Sequence, residues 1–159
     1  MRGTAPPPFE RFFEANRGTV LRFLTVAVGP QEADDVAQET FLAALRAYPK
    51  VRDDGRLDRW ILTIASRKAI DHHRGTKRRA APVAAVPEGR DQAVAPPDEP
   101  DAELWMAVRA LPPAQRVAVV LRHVLDRPYD EIARVTDSTV EAARANVYQG
   151  MKKLKERIR

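Results

Sequence analysis

Apolar residues recur at helical spacing through most of the chain, and prolines, glycines or polar turns separate the runs. Spacing at i, i+3, i+4 and i+7 is typical of amphipathic α-helices, whereas no run alternates with the period of two that indicates a strand. The sequence therefore predicts an all-α fold. The predicted helices cover residues 9–27, 33–48, 57–74, 101–111, 113–125, 129–135 and 139–151.

The helical pattern is absent between residues 80 and 100, where alanine, proline and acidic residues follow one another without a period. Such a composition favours a flexible linker, because it offers too little apolar surface to fold alone. It divides the chain into two small helical domains, at 9–79 and 101–159, after a disordered tail at 1–8. We expect the two domains to move independently.

A polar break interrupts the helical pattern in RPYDEIARVTDSTVEAARANVYQ, residues 127–149. Two helices joined by so short a turn indicate a helix-turn-helix. Ser138 or Thr139 can cap the second helix, and Glu141 would complete a capping box with Ser138. Polar side chains on that helix and its basic end suit the major groove of DNA. They are Thr139, Arg144, Asn146, Tyr148, Gln149, Lys152 and Lys153. A pair of surface helices in a bundle fits the same pattern.

A second basic stretch, RWILTIASRKAIDHHRGTKRR, spans residues 59–79. A tryptophan, a threonine and two arginines lie three, four and seven residues apart, and therefore share one helix face. A stacking plane beside arginines suits single-stranded or partly melted nucleic acid. The candidate residues are Trp60, Thr63, Arg67, Arg74, Lys77 and Arg78. In the alternative interpretation, Trp60 belongs to the core and the arginines are solvated.

Composition narrows the function classes. The 159 residues carry a net charge of +5, and the pI of about 9.9 suits a polyanionic partner. The absence of cysteine excludes disulfides, thiolate metal sites and cysteine nucleophiles. His72 and His73 are adjacent and point different ways on a helix, so they do not suggest a metal site. With no signal-peptide pattern and no apolar run of membrane length, we expect a cytoplasmic protein without catalytic residues, metal or cofactor.

Both domains resemble one protein family. EADDVAQETFLAALRAY, residues 32–48, together with RWILTIASRKAIDHHR resembles region 2 of bacterial RNA polymerase sigma factors. The stretch from ALPPAQ, at residue 110, to the end of the chain resembles their region 4. Two such regions joined by a short linker resemble the extracytoplasmic-function group. Asp137 stands where the family usually has a turn glycine.

The resemblance implies a role for each region. Region 2 would dock on the clamp helices of the largest polymerase subunit through Asp34, Asp35, Gln38 and Glu39, and would contact and melt the minus-ten element. The loop at 49–56 would hold a flipped base. Region 4 would bind the minus-thirty-five element through its helix-turn-helix. The implied partners are the polymerase core and promoter DNA, and relatives commonly have an anti-sigma factor as well.

Two other functions remain compatible with the residues alone. A free-standing helix-turn-helix regulator would bind DNA without polymerase and would not need a docking helix. A helical adaptor without a DNA role would bury Trp60 and leave the basic clusters solvated. The docking helix favours the sigma factor hypothesis.

Overall fold

Prolines and glycines mark most helix ends in the computed structural model of the chain. It describes residues 3–80 and 102–158, with side chains only through His73 in the first segment, and the predicted linker beyond residue 80 lies outside these residues. The helices are α1 (Phe9–Val28), α2 (Pro30–Ala47), α3 (Leu57–Ala80), α4 (Ala102–Arg109), α5 (Pro113–His123), α6 (Tyr129–Val135) and α7 (Val140–Ile158), with a 3₁₀ turn at Tyr48–Lys50. The fold is all-α, as predicted.

Local chemistry explains the boundary between α1 and α2. Gly29 ends α1 with φ 98°, a conformation that side chains rarely adopt, and its N–H donates to the Thr25 carbonyl. Pro30 then occupies the first turn of α2, where no N–H is needed. Helix α2 therefore begins earlier than the sequence pattern predicted. Its first turn therefore holds Glu32, and Asp34 and Asp35 follow that turn.

The amino-terminal lobe, residues 3–80, is built from α1, α2 and α3, each of which packs on the other two. Its core consists of apolar side chains at helical spacing from all three helices. Those with less than 2% exposure include Phe12, Val20, Phe23, Leu24, Ile61 and Leu62. The start of the chain, residues 3–8, also packs on this lobe. The backbones of Thr4 and Asp53 exchange two hydrogen bonds, and the Tyr48 hydroxyl donates to the Pro7 carbonyl. Residues 3–8 thus differ from the predicted disordered tail.

The carboxyl-terminal lobe, residues 102–158, packs α7 against α4, α5 and α6. Val117, Val120, Leu121 and Ile132 are at most 1% exposed and form its centre. Gly150 lets α7 approach α5 closely, because an added Cβ there would lie 2.6 Å from Cγ2 of Val119. Helix α7 is therefore packed closely on α5.

The two lobes contact each other, which the sequence pattern did not predict. Helix α3 lies against α5 and α6, and α1 lies against α4 and α5. Residues far apart in the chain, such as Arg56 and Glu131, form ion pairs across this boundary. Within the described residues, no helix is long and apolar enough to cross a membrane.

The close approach of α5 and α7 can be tested at Gly150. We expect Gly150→Ala to lower the free energy of unfolding by about 1–3 kcal/mol through overpacking against Val119. Gly18→Ala is the matched control, because Gly18 is exposed within α1 and its added Cβ meets no atom within 4 Å. Gly18→Ala should raise the free energy of unfolding by up to about 1 kcal/mol, because alanine has a higher helix propensity than glycine. Chemical denaturation measures both, and equal shifts would contradict the close approach.

Candidate promoter and polymerase interfaces

The predicted docking residues lie on the solvent side of α2. Asp34, Asp35, Gln38 and Glu39 are all exposed. Two of them, Asp34 and Gln38, line a groove of about 290 Å³ between α1 and α2, whereas Asp35 and Glu39 lie outside its lining. The groove is otherwise largely apolar, with Phe9, Phe13, Leu21, Ala37, Phe41, Leu42 and Leu45 along its length.

Two leucines on this face were not recognised as candidate site residues in the sequence. Leu42 is 47% exposed and Leu45 is 49% exposed. They follow Asp34 and Gln38 at helical spacing, so the four share one face. The sequence contained a signal for them, because Leu42 and Leu45 continue the helical spacing of the polar candidates Asp34 and Gln38. The candidate docking face therefore combines acidic, amide and apolar groups.

A basic cavity of about 420 Å³ lies at the start of α3. Five cationic side chains line it against one carboxylate, so its charge suits a phosphate backbone. The lining residues are Lys50, Val51, Arg52, Asp54, Arg56, Leu57, Arg59, Trp60, Thr63 and Arg134. Arg134 comes from α6 in the other lobe, and was not among the residues predicted from the sequence.

The predicted region 2 residues do not form one exposed surface. Trp60 is half-buried, and its ring packs 5.6 Å from that of Phe12 and 6.3 Å from that of Tyr48, although its remaining surface reaches the basic cavity. The Thr63 hydroxyl donates to the Arg59 carbonyl at 3.0 Å. Arg67 is exposed. The side chains of Arg74, Lys77 and Arg78 lie outside the described residues.

The loop before α3 is held in shape by its own aspartates. Gly55 has φ 88°, and its N–H donates to Asp53 Oδ1 at 2.8 Å. The N–H of Arg56 donates to Asp54 Oδ1 at 3.0 Å. Because Asp53 also pairs with Thr4 through the backbone, the loop is fixed from both sides. This fixed backbone positions Arg56 at the cavity.

Four charged side chains form a ring between the lobes. Arg56 Nη2 lies 2.7 Å from Glu131 Oε1, and Glu131 Oε1 lies 3.0 Å from Arg127 Nη1. Arg127 Nη1 lies 2.7 Å from Asp58 Oδ2, and Asp58 Oδ1 lies 3.5 Å from Arg56 Nε. We call these four residues the interlobe ring. Each arginine thus contacts both carboxylates.

The ring changes the pKa values of Arg56 and Asp58. The hydrogen bond to Glu131 and its charge raise the pKa of Arg56 above its ordinary value. Burial alone would raise the pKa of Asp58, but hydrogen bonds from Arg127 and the Arg59 N–H, with the nearby positive charges, bring it below 3.8. The stabilising contribution of Asp58 is therefore fully present above that ordinary pKa, and is lost as the pH falls through the lowered one.

The helix-turn-helix of α6 and α7 has the geometry that its polar break predicts. Asp137 has φ 51°, so it adopts the left-handed conformation for which glycine is usual and which aspartate tolerates better than most residues. The Ser138 N–H donates to the Ala133 carbonyl at 2.8 Å and closes the turn. Thr139 Oγ1 accepts the Ala142 N–H at 3.1 Å and caps α7. The Ser138 hydroxyl instead contacts that of Thr136, so Thr139 is the capping residue.

The predicted recognition residues on α7 differ in exposure. Arg144 and Tyr148, four residues apart on one face, are both exposed, and Tyr148 is 70% exposed. The Arg144 guanidinium also lies 5.5 Å from the ring centroid of Tyr129. Asn146 is half-buried. The other predicted residues, Thr139, Gln149, Lys152 and Lys153, are exposed, and Gln149 accepts a hydrogen bond from Gln115 at 3.2 Å.

The adjacent histidines contact different partners. His72 Nε2 lies 3.5 Å from Glu32, and His73 Nδ1 lies 3.2 Å from Arg116 Nη2. Among the described residues, no three His, Asp or Glu side chains are grouped as metal ligands. The divergence of the two rings agrees with the helix geometry expected for neighbours.

Comparisons with known proteins agree with this arrangement. The family model of sigma-70 region 2 matches residues 12–79, and that of sigma-70 region 4 matches residues 101–154. The chain is 35% identical over 158 residues to the ECF RNA polymerase sigma factor SigD of Mycobacterium tuberculosis, covering 91% of this chain and 74% of that protein. The chain belongs to the extracytoplasmic-function sigma factors.

Further similarities extend over most of this sigma factor. It is 31% identical over 160 residues to the RNA polymerase sigma factor CarQ of Myxococcus xanthus, covering 98% of this chain and 91% of that one. The fold matches the sigma factor RpoE from Bartonella quintana, solved with the anti-sigma factor NepR, at a TM-score of 0.73 and 16% identity over 94% of this chain and 96% of that one. It also matches CnrH, solved with the cytosolic domain of CnrY, at 0.65 and 21% identity over 93% and 85%.

Membership of the family gives the function in outline. Both sigma regions are present in order, so the chain is a promoter-specificity factor that acts with bacterial RNA polymerase to initiate transcription. A free-standing helix-turn-helix regulator is not favoured, because the region 2 match accounts for the whole amino-terminal lobe after residue 11.

The N-cap of α7 gives a test of the helix-turn-helix geometry. Thr139→Ala should lower the free energy of unfolding by about 0.5–2 kcal/mol, because the Ala142 N–H loses its acceptor. Ser138→Ala is the control, since that neighbouring hydroxyl does not contact the first turn of α7. Thermal unfolding of both variants measures the difference. A larger loss for Ser138→Ala would restore the capping box that the sequence suggested.

Proposed function

We propose that this sigma factor docks on the polymerase core through the groove face of α2. Asp34, Asp35, Gln38 and Glu39 supply charged and amide groups that can pair with arginines on the partner. Leu42 and Leu45 supply an apolar centre, which agrees with the usual anatomy of an interface, apolar inside and polar at the rim. The exposure of both leucines supports this assignment, because a docked partner would cover apolar surface that the free chain leaves in contact with water.

We further propose that the basic cavity at the start of α3 receives the opened minus-ten strand. Lys50, Arg52, Arg56 and Arg59 would neutralise its phosphates, and the free edge of Trp60 would contact a base. The candidate surface continues along α3 through Thr63, Arg67, Arg74, Lys77 and Arg78. The packing of Trp60 on Phe12 and Tyr48 supports a fixed wall for the cavity rather than a mobile stacking plane.

Helix α7 is the proposed reader of the minus-thirty-five element. The observation that carries this assignment is one exposed face with Arg144 and Tyr148, continued by Lys152, on a helix packed closely against α5. Arginine is the residue most often used to contact guanine in the major groove. Lysines at the end of the helix suit phosphates, which position a protein without reading sequence.

The remaining assignments follow from these interfaces. The two domains would be residues 9–79 and 101–159, joined by a flexible linker at 80–100. The protein would act in the cytoplasm, where the polymerase works, and would carry out no chemistry of its own. An anti-sigma factor is a proposed partner, supported by the complex of the structurally similar RpoE with NepR. Promoter-dependent transcription with purified polymerase core tests the whole proposal.

Charge reversal tests the docking face. Asp34→Arg should weaken binding to polymerase core by at least about tenfold, because it replaces an attraction by a repulsion at the interface. Glu14→Arg is the matched control, since Glu14 is exposed on α1 and does not line the groove. Titration of labelled sigma factor with core measures both affinities. Equal affinities for the two variants would remove the docking role from this face.

Two substitutions on α7 should separate sequence reading from phosphate contact. Arg144→Ala should reduce discrimination among upstream duplexes by about 1–3 kcal/mol, if it removes a base contact. Lys152→Ala should weaken all duplexes alike and reduce the slope of log K against log salt by about 0.9 for one phosphate contact. Binding to duplex variants over a salt series measures both effects. A uniform loss for Arg144→Ala would assign it to the backbone instead.

A further inference from the structure

The interlobe ring places a carboxylate of region 4 on an arginine of region 2. Glu131 is 5% exposed, and its Oε1 lies 2.7 Å from Arg56 Nη2. The same Arg56 lines the basic cavity at the start of α3. A carboxylate and a phosphate are both oxyanions that accept charge-assisted hydrogen bonds from guanidinium groups. A guanidinium nitrogen held by Glu131 is therefore not free to bind a phosphate of DNA.

A second contact joins the lobes at His73 of α3. Arg116 on α5 is 5% exposed, and donates to the Ala27 carbonyl at 3.1 Å and the Leu111 carbonyl at 2.9 Å, while its Nη2 lies 3.2 Å from His73 Nδ1. None of these three partners carries a negative charge. The buried guanidinium donates to a carbonyl at the carboxyl end of α1, where the helix dipole favours a positive charge.

These two contacts are far apart on α3. Asp58 of the ring and His73 beside Arg116 are 15 residues apart, which corresponds to about 22 Å along an α-helix. The carboxyl-terminal lobe therefore lies along α3 over several turns, rather than touching it at one point. Arg134 on α6 faces the same cavity as Trp60 and Thr63. Helix α6 thus forms one wall of the region 2 cavity.

This closed arrangement is incompatible with the promoter assignments above. The centres of the two promoter elements are about 25 base pairs apart, or about 85 Å along straight DNA. A compact body of 159 residues has a radius of gyration of about 15 Å. The lobes in contact cannot reach both elements, so region 4 must leave α3 before both are bound.

We propose that the closed arrangement is a self-masked state, in which Glu131 of α6 occupies the place on Arg56 that a phosphate of the opened minus-ten strand takes in the initiation complex. The proposal rests on the proposed function, and names the region 4 carboxylate as the competitor of the single strand. The two ligands share one guanidinium. Closure of the lobes therefore lowers the affinity for the strand, and strand binding disfavours closure by the same factor.

A matched pair of charge-removing variants of the full chain tests this masking. Glu131→Gln removes the masking charge, and Asp130→Asn removes the same charge from an exposed neighbour on α6 outside the interlobe ring. The probe is a fluorescein-labelled, A/T-rich single strand of about 12 nucleotides, measured by anisotropy at constant salt. Glu131→Gln should bind it on the order of tenfold more tightly than Asp130→Asn does, the scale of one charge-assisted hydrogen bond.

A second variant controls for folding and for charge. Arg127→Gln/Glu131→Gln removes both ion pairs between the lobes and leaves the net charge at +5. Circular dichroism verifies that the variants are folded. Spin labels at Arg22→Cys and Lys155→Cys, both exposed and in different lobes of a chain without native cysteine, report the distance between lobes. The double variant should show a longer, broader distance distribution and tighter strand binding than the unsubstituted chain.

The outcomes separate this inference from the proposed function. Equal strand affinities for Glu131→Gln and Asp130→Asn, or folded variants that bind no strand while the unsubstituted chain opens promoters with polymerase core, would overturn the masking. Failure of the unsubstituted chain to open any promoter with core would instead overturn the proposed promoter contacts. The expected result is tighter strand binding by Glu131→Gln and by Arg127→Gln/Glu131→Gln, whereas Asp130→Asn should bind the strand with the affinity of the unsubstituted chain.

Discussion

A carboxylate that is almost completely buried imposes the main constraint on this structure. Glu131 is 5% exposed, and a buried charge without partners would cost several kcal/mol. Its partners are Arg127 in its own lobe and Arg56 in the other. The position of α6 against the start of α3 therefore depends on a balance of four charges. The loop that carries Arg56 also holds its shape, because its own aspartates accept hydrogen bonds from the N–H groups of Gly55 and Arg56.

Local chemistry made much of this fold predictable. Pro30, Pro113 and Gly29 stand at helix ends, and the sequence pattern placed those boundaries within a few residues. The left-handed conformation of Asp137 follows from a turn that usually needs glycine. Of two candidate caps, the structure selects Thr139. Each of these features depends on neighbours in the chain, so a single sequence contains the information.

Contacts between distant residues account for what the sequence did not predict. Arg56 and Glu131 are 75 positions apart, and Arg127 and Asp58 are 69 apart, so no local pattern indicates their pairing. Trp60 fitted either a nucleic-acid surface or a core position, and its packing on Phe12 limits how much of its ring remains exposed. Leu45 fitted the apolar period of α2 but lies beyond the edge of the buried stripe. The docking and promoter roles of the individual residues stay predictions.

The closed arrangement leaves α7 exposed but covers the cavity at the start of α3, and this difference implies an order of events for the two proposed DNA contacts. Helix α7 presents Arg144 and Tyr148 to solvent, while α6 stands over the cavity beside α3. In the proposed self-masked state, region 4 alone would bind intact double helix, and the covered cavity would not take up single strands. A promoter held by polymerase would then have to separate the lobes before the opened strand could bind. The fold would thus act as a filter in time, in which duplex recognition comes before strand capture.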